Sequence, residues 1–273
     1  MQMSAVLRQP GEFLEGIWKI TDEDYFSVKA LNVSTLKSFA KAPALAHVSH
    51  EETASMRLGT LTHCAILEPE ELDRRYQATN LERRGTRAWG IEEDDAISQG
   101  KFLIKQGELE IALMMQEAVW NHSIAREILE GCKTEMASFW IDEETGLPCK
   151  AKADILAPSL VYLADLKTTV DASFPEFTKQ FTKMGYWLQE TFYRWGFAEN
   201  GFGSLREPTP FLFIAVEKDQ PYLVSIHEMN RDDQPKVIHE MRRLINDYSQ
   251  CLESGHWPGY PDYQIIHLPQ WAF

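Results

Sequence analysis

The 273-residue sequence has no run of about 18 apolar residues, so nothing in it reads as a membrane-spanning helix. It has only four cysteines, Cys64, Cys132, Cys149 and Cys251, scattered with no CxxC pair. Zinc and iron–sulfur sites need clustered ligands, so this spacing argues for reduced, buried thiols and against an iron–sulfur cluster. Cations are in deficit: 27 Lys and Arg against 41 Asp and Glu, a net charge of −14. Such a balance excludes a protein that coats nucleic acid by bulk attraction, but not one whose basic groups are confined to a groove. No internal repeat or low-complexity linker is present. The first residues, "MQMSAVLRQPGEFLEG", lack the basic-then-apolar layout of a signal peptide, which makes the cytoplasm the expected location.

What is present is an ordinary globular mixture, 44% hydrophobic and 25% charged, with periodicity that changes along the chain. Residues 1–30 read as irregular. "NVSTLKSFAKAP" reads as a helix with Ser34 as N-cap and Leu36 and Phe39 buried, and "RLGTLTHCAILEPEEL" as a second ended by Pro69. Between about 70 and 105 the chain is dense in charge and reads as surface loop with short helical pieces. "GELEIALMMQEAVWNHSIAREILEG" restores a helical period up to Gly131. The middle then alternates: two strands joined at Glu143–Gly146, a third at "LVYLADLKTT", and a long aromatic helix with Phe177, Phe181, Met184, Leu188 and Trp195 on one stripe. Two more strands and a last helix from about Asp232 to Glu253 complete an α/β or α+β domain with a helical N-terminal elaboration.

The stretch "CKAKADILAPSLVYLADLKTT" puts Asp154, Asp165 and Lys167 into otherwise apolar strand sequence. Each charge is costly to bury unless it is paired or bound to a metal. Side chains alternate along a strand, so Asp165 and Lys167 share a face, and a short connection makes Asp154 an antiparallel neighbour on that face. Two carboxylates so close repel each other unless a cation intervenes, and a hard divalent ion such as Mg²⁺ suits oxygen ligands. With a lysine beside it, the group fits phosphodiester hydrolysis. The competing reading is a solvated Asp–Lys pair on a surface strand, since D-x-K is common. His63 alone reads as a core histidine, and Gln189 with Tyr193 alone as ordinary helix surface.

Together, "D…DLKT" (Asp154, Asp165, Leu166, Lys167, Thr168), Gly59 and His63 in "LGTLTHCAILEPE", and Gln189 and Tyr193 in "QETFY" resemble the PD-(D/E)xK nuclease superfamily. Within it they are most similar to the RecB-like branch, and there to the RecE-like (exonuclease VIII) family, which has an upstream G-x-x-x-H helix and a downstream Q-x-x-x-Y helix. The stretches "NVSTLKSFAKAP", "RAWG" and "GHWPGYPDY" are similar to that family too, so the likeness runs from about residue 25 onward. One departure is Ala153, where the family has a proline before the first aspartate.

The resemblance implies an α/β fold with a mixed central sheet flanked by helices. It implies one nuclease domain over residues 1–273, mostly helical over 25–130 and with its sheet core in 131–273. It further implies that His63, Asp154, Asp165 and the Leu166 carbonyl bind Mg²⁺ (or Mn²⁺), that Lys167 is catalytic, and that Gln189 and Tyr193 position the substrate or active-site groups. Glu135, on the strand before Asp154, is a further candidate metal ligand. Arg83, Arg84, Arg87, Lys101 and Lys105 form the densest basic stretch, a DNA-contacting loop or a solvated one, with "EEDD" at 92–95 partly cancelling it. Ser34, Lys37 and Arg57 are candidates for binding a terminal phosphate. The activity implied is 5′-to-3′ digestion of linear double-stranded DNA, leaving 3′ tails for an annealing protein, by a ring-shaped homo-oligomer. Its rivals are an inactive DNA-end-binding or assembly protein, a single-strand or endonucleolytic enzyme of the same superfamily, and a relative with an iron–sulfur cluster.

Overall fold

A computed structural model describes residues 13–48, 52–157, 161–204, 209–263 and 265. The chain opens with β1 (Gly16–Lys19), α1 (Asp22–Ser27) and α2 (Val33–Lys41), followed by α3 (Ala54–Leu67) and α4 (Leu72–Arg75). Next come β2 (Tyr76–Thr79), α5 (Arg87–Ser98), β3 (Phe102–Lys105), α6 (Gln106–Asn121) and α7 (Ser123–Leu129). The second half holds β4 (Lys133–Ile141), β5 (Pro148–Ala157), β6 (Tyr162–Thr169), α8 (Phe174–Lys183) and α9 (Tyr186–Glu199). It ends with β7 (Phe211–Glu217), β8 (Val224–Glu228) and α10 (Gln234–Ser254).

Six strands form one sheet in the order β1-β4-β5-β6-β7-β8. Only β6 and β7 run parallel, and α8 and α9 make the crossover between them. One face of the sheet packs on α2, α9 and α10 through Leu36, Leu188, Phe192 and Leu244. The other packs on α3, α6 and α7 through Ile66, Met115, Val119 and Ile128. The expected mixed α/β sheet flanked by helices is therefore what the chain builds. Among the described residues no helix is long and apolar enough to cross a membrane. The four thiols are free; Cys64 and Cys149 are buried, Cys132 and Cys251 half-buried.

Local chemistry moves several expected boundaries. Residues 16–27 are not irregular: β1 pairs antiparallel with β4, and Thr21 caps α1. Residues 1–12 lie outside the described ones. Asn32, not Ser34, caps α2, its side chain accepting the Thr35 N–H at 2.9 Å. The charged stretch after residue 70 is ordered as a parallel β2–β3 ribbon joined by α5, which Thr86 caps. The helix expected to run to Gly131 breaks at His122, whose ring nitrogen takes the Ala125 N–H and starts α7. The aromatic helix breaks at Gly185, at φ +63°, so Met184 leaves the buried stripe and is exposed.

At Gly196 helix α9 packs directly on the Trp140 side chain of β4: a Cβ built there would lie 2.2 Å from the ring. Trp140 is itself buried and packs against Phe192 at 5.0 Å. Gly196→Ala is expected to lower stability by about 1–3 kcal/mol, the usual cost of overpacking, in urea unfolding.

Candidate active site

Strand pairing between β5 and β6 ends at Ile155↔Ala164. Beyond that pair the two strands part, and the charged residues of the central stretch sit where they part. The alternation of β5 also breaks there. Ala151 and Ala153 pack in the cluster with α9, but Ile155 and Ala157 pack in the cluster with α3 and α6. A flat, regular strand put Asp154 and Asp165 side by side on one face; the fork separates their partners instead. The Asp154 carboxylate turns to the Leu166 N–H, which the ladder leaves free, at 2.8 Å. Asp165 is engaged by the Lys167 ammonium and the Gln189 side-chain amide.

Around Asp154 the donors are those a cation would use. His63 Nδ1 lies 3.4 Å from Asp154 Oδ2, and ligand atoms of His63, Glu135 and Asp154 all lie within 4.8 Å of one another. Helix α3 delivers His63 because its N-terminal half lies close on β6: a Cβ on Gly59 would sit 3.5 Å from Thr168 Oγ1. Glu135 stands at φ +55°, a left-handed backbone that a non-glycine residue holds only at a cost of about 1–3 kcal/mol. Lys152 then holds its carboxylate at 2.5 Å and also pairs with Asp22 of α1.

The electrostatics follow from burial and proximity. Burial, then Asp165 and Glu135, hold the Asp154 carboxyl well above the usual carboxylate range. Burial opposes the Lys167 charge, but Asp165 and Asp154 outweigh it and raise its pKa. Burial pulls His63 below its usual range, which favours the neutral imidazole that ligates metals. A second lysine reaches the same place: Lys37 of α2 and Lys167 both donate to Gln189 Oε1, at 3.2 and 3.3 Å. Both ammonium groups also lie over the Tyr186 ring, at 5.2 and 4.7 Å. Burial and the Lys167 charge push Lys37 down to about 7.

The remaining expected residues are divided. Tyr193, one turn after Gln189, is buried with its ring against Phe211, so Gln189 alone makes the polar contact with Asp165. Ser34 is exposed one turn before Lys37. Arg57, Arg84 and Lys101 line a different cavity, of about 710 Å³, whereas Arg87 is exposed at the start of α5 and is not in that lining. Two contributors escaped the pattern reading. Lys152 was signalled by "KAKAD", where Lys150, Lys152 and Asp154 recur at the strand period. Tyr186 was hidden because an aromatic in an apolar stripe looks like core.

A family described as a PDDEXK-like domain of unknown function (DUF3799) matches residues 32–264. The chain belongs to this PDDEXK-like family. The match bears out the PD-(D/E)xK resemblance and is consistent with its RecE-like branch. Among solved structures, a "Putative exonuclease" from Eubacterium rectale is similar over 92% of this chain and 95% of its own, at 15% identity and a TM-score of 0.61. That likeness speaks for the fold. A phage-related exonuclease from Haemophilus somnus matches over 83% of this chain and 96% of its own, at 14% identity and a TM-score of 0.38, too distant to carry weight. A search of curated proteins found no match.

For a PDDEXK-like domain the donor set is chemically apt: one neutral imidazole and clustered carboxylates, with a mutual repulsion that a divalent cation would relieve. Asp154→Asn is therefore expected to act in two directions. In EDTA it should raise the urea midpoint, by about 1 kcal/mol or more of stability, because a repelling charge is removed while the Leu166 N–H keeps an acceptor. It should also abolish the thermal shift produced by Mg²⁺ or Mn²⁺.

Proposed function

We propose that this PDDEXK-like nuclease domain is a Mg²⁺-dependent exodeoxyribonuclease that degrades linear double-stranded DNA, 5′ to 3′, and leaves 3′ single-stranded tails. The observation that carries this reading is the Asp165–Lys167–Gln189 cluster beside His63, Glu135 and Asp154. In this reading His63, Asp154, Asp165, the Leu166 carbonyl and Glu135 hold the cation, with Mn²⁺ able to substitute. The bound ion would supply a Lewis acid for the phosphoryl group and acidify a water molecule.

The protein's own groups do the rest. Lys167, kept cationic by Asp165 and Asp154, faces the developing negative charge of the phosphorane and offsets it. Gln189 fixes three partners at once, giving its N–H to Asp165 and accepting at its oxygen from Lys37 and Lys167, so it sets the distance between carboxylate and ammonium. Lys37 adds a second cation on the α2 side, where it and Ser34 would receive a terminal phosphate. Glu135 is held in place by Lys152 and strained backbone, so its carboxylate meets the cation without reorganisation. We extend the same reading to the assembly: a homo-oligomer, ring-shaped as in the RecE-like family, with a single-strand annealing protein as partner.

The test is digestion of linear and closed circular duplex with Mg²⁺ or EDTA. The expected result is loss of linear duplex only, abolished by EDTA, and reduced at least about 100-fold by Asp165→Ala or Lys167→Ala. Activity that survives both substitutions would sink the mechanism, and defined fragments from circular DNA would make the enzyme an endonuclease.

Lys37 gives a separate prediction. Its ammonium loses its proton above about 7, so affinity for a 5′-phosphorylated end should weaken as pH rises through that value. Lys37→Arg should flatten this dependence, and Lys37→Ala should remove the preference for phosphorylated over hydroxyl ends. Anisotropy titrations in EDTA across the pH range check both.

A further inference from the structure

The cavity of about 710 Å³ lies where α3, the loop before α5 and the β2–β3 ribbon meet. Its lining includes Arg57, Arg84, Lys101, Tyr76, Trp89 and Phe102. In a chain of net charge −14 this cavity gathers three cations and three aromatic rings. We propose that this groove binds a short unpaired stretch of nucleic acid, the single-stranded part of the substrate next to the active site. The inference deepens the nuclease reading and rests on it.

Four observations carry it. First, Arg57 and Lys101 form no ion pair among the described residues. Arg57 gives its Nη1 N–H to the Glu52 backbone carbonyl at 3.2 Å, and its Nε has no hydrogen-bond partner among the described residues. A half-buried guanidinium with no carboxylate partner in a groove wall keeps N–H donors for an acceptor, and a phosphate oxygen is one. Second, Phe102 is 70% exposed at the start of β3, beside Tyr76 at 6.1 Å between ring centroids, and Ile97 across the groove is 64% exposed. Apolar surface of this kind offers a stacking platform. Unpaired bases can use it all along a strand, whereas a duplex offers only the outer face of its terminal pair.

Third, the groove is shaped beforehand. Arg84 is fixed over the buried Trp89 ring at 4.7 Å and tied to Glu108 at 2.6 Å, so its position costs nothing further on binding. Fourth, the groove and the carboxylate fork share helix α3. Arg57 and Thr60 line the groove, and His63 lies about 9 Å beyond Arg57 along the helix, turned about 120° around its axis. A strand held at Arg57 therefore lies less than two helical turns from the residue beside Asp154. Glu52 and Glu93 also reach the lining and cap its net charge, so few phosphates are held and stacking must supply much of the affinity.

The measurement is fluorescence anisotropy of a labelled oligothymidylate of about 12 nucleotides, and of a blunt duplex, in EDTA. Phe102→Ala is expected to weaken oligothymidylate binding about tenfold and blunt-duplex binding less than about twofold. Because Phe102 is mostly exposed, the melting temperature should not change. The two unpaired cations, Arg57 and Lys101, predict a slope of log affinity on log salt of about −1.4, made shallower by about 0.7 in Lys101→Gln. Oligothymidylate affinity that ignores Phe102→Ala, in a chain that hydrolyses DNA, overturns the groove assignment and leaves the nuclease reading standing. So does an equal loss for both probes. Phe102-dependent oligothymidylate binding by a chain that hydrolyses nothing does the reverse.

Discussion

Three carboxylates meet at the fork between β5 and β6, and their mutual repulsion is the constraint that the surrounding structure answers. Burial and the fields of Asp165 and Glu135 make a charged Asp154 expensive. The protein opposes this with a different partner for each acid: a backbone N–H and an imidazole for Asp154, Lys167 and Gln189 for Asp165, and Lys152 for Glu135. None of these partners is spare. Lys152 also pairs with Asp22, which ties the N-terminal helix α1 to the site, and Gln189 also holds Lys37, which ties in α2. The site is thus the junction through which elements remote in sequence are joined.

The fold supplies the geometry by ending a ladder early. If β5 and β6 stayed paired past Ile155↔Ala164, the Leu166 N–H would be consumed and no pocket would open. The strands can part because each has another neighbour: β4 carries β5 along its length, and β7 carries β6 in parallel register from Leu163 to Thr169. Helix α9 closes one side, and it comes near enough only because Gly196 leaves room for Trp140. The strained Glu135 backbone belongs to the same economy: a distortion at the fork is tolerated because the paired strands on either side fix it.

How much of this was legible beforehand depends on the range of the interaction. Asp154, Asp165 and Lys167 stood out because charge within apolar strand sequence is visible in one dimension; His63, Gln189 and the mixed sheet came only with the family resemblance, and the change of period gave no more than an α/β or α+β domain. Breaks within helices were not visible. His122 and Gly185 end elements through a ring-nitrogen cap and a left-handed residue, and neither interrupts the apolar pattern strongly. Strict alternation also misled at Asp154, because a regular strand has no way to signal that its neighbour departs. The β2–β3 ribbon was hidden for another reason: its strands have four residues each, and their pairing is made across a whole helix.

The acidic balance of the chain, an objection only to coating nucleic acid by bulk attraction, fits a local role when the cations are sorted by partner. Many lysines and arginines are spent on neighbouring carboxylates, as Arg74, Lys179, Lys236 and Arg243 are along their own helices. Such exposed pairs contribute little to stability and project little field. Lys37 and Lys167 converge on one amide oxygen, Lys167 also pairing with Asp165, while Arg57 and Lys101 face a groove without a carboxylate partner among the described residues. At physiological salt a field reaches only about 8 Å, so these local groups, not the net charge, decide what a phosphate meets on arrival. An acidic exterior is then compatible with a nucleic-acid role, because Lys37 and Lys167 at the fork and Arg57 and Lys101 in the groove present positive charge locally.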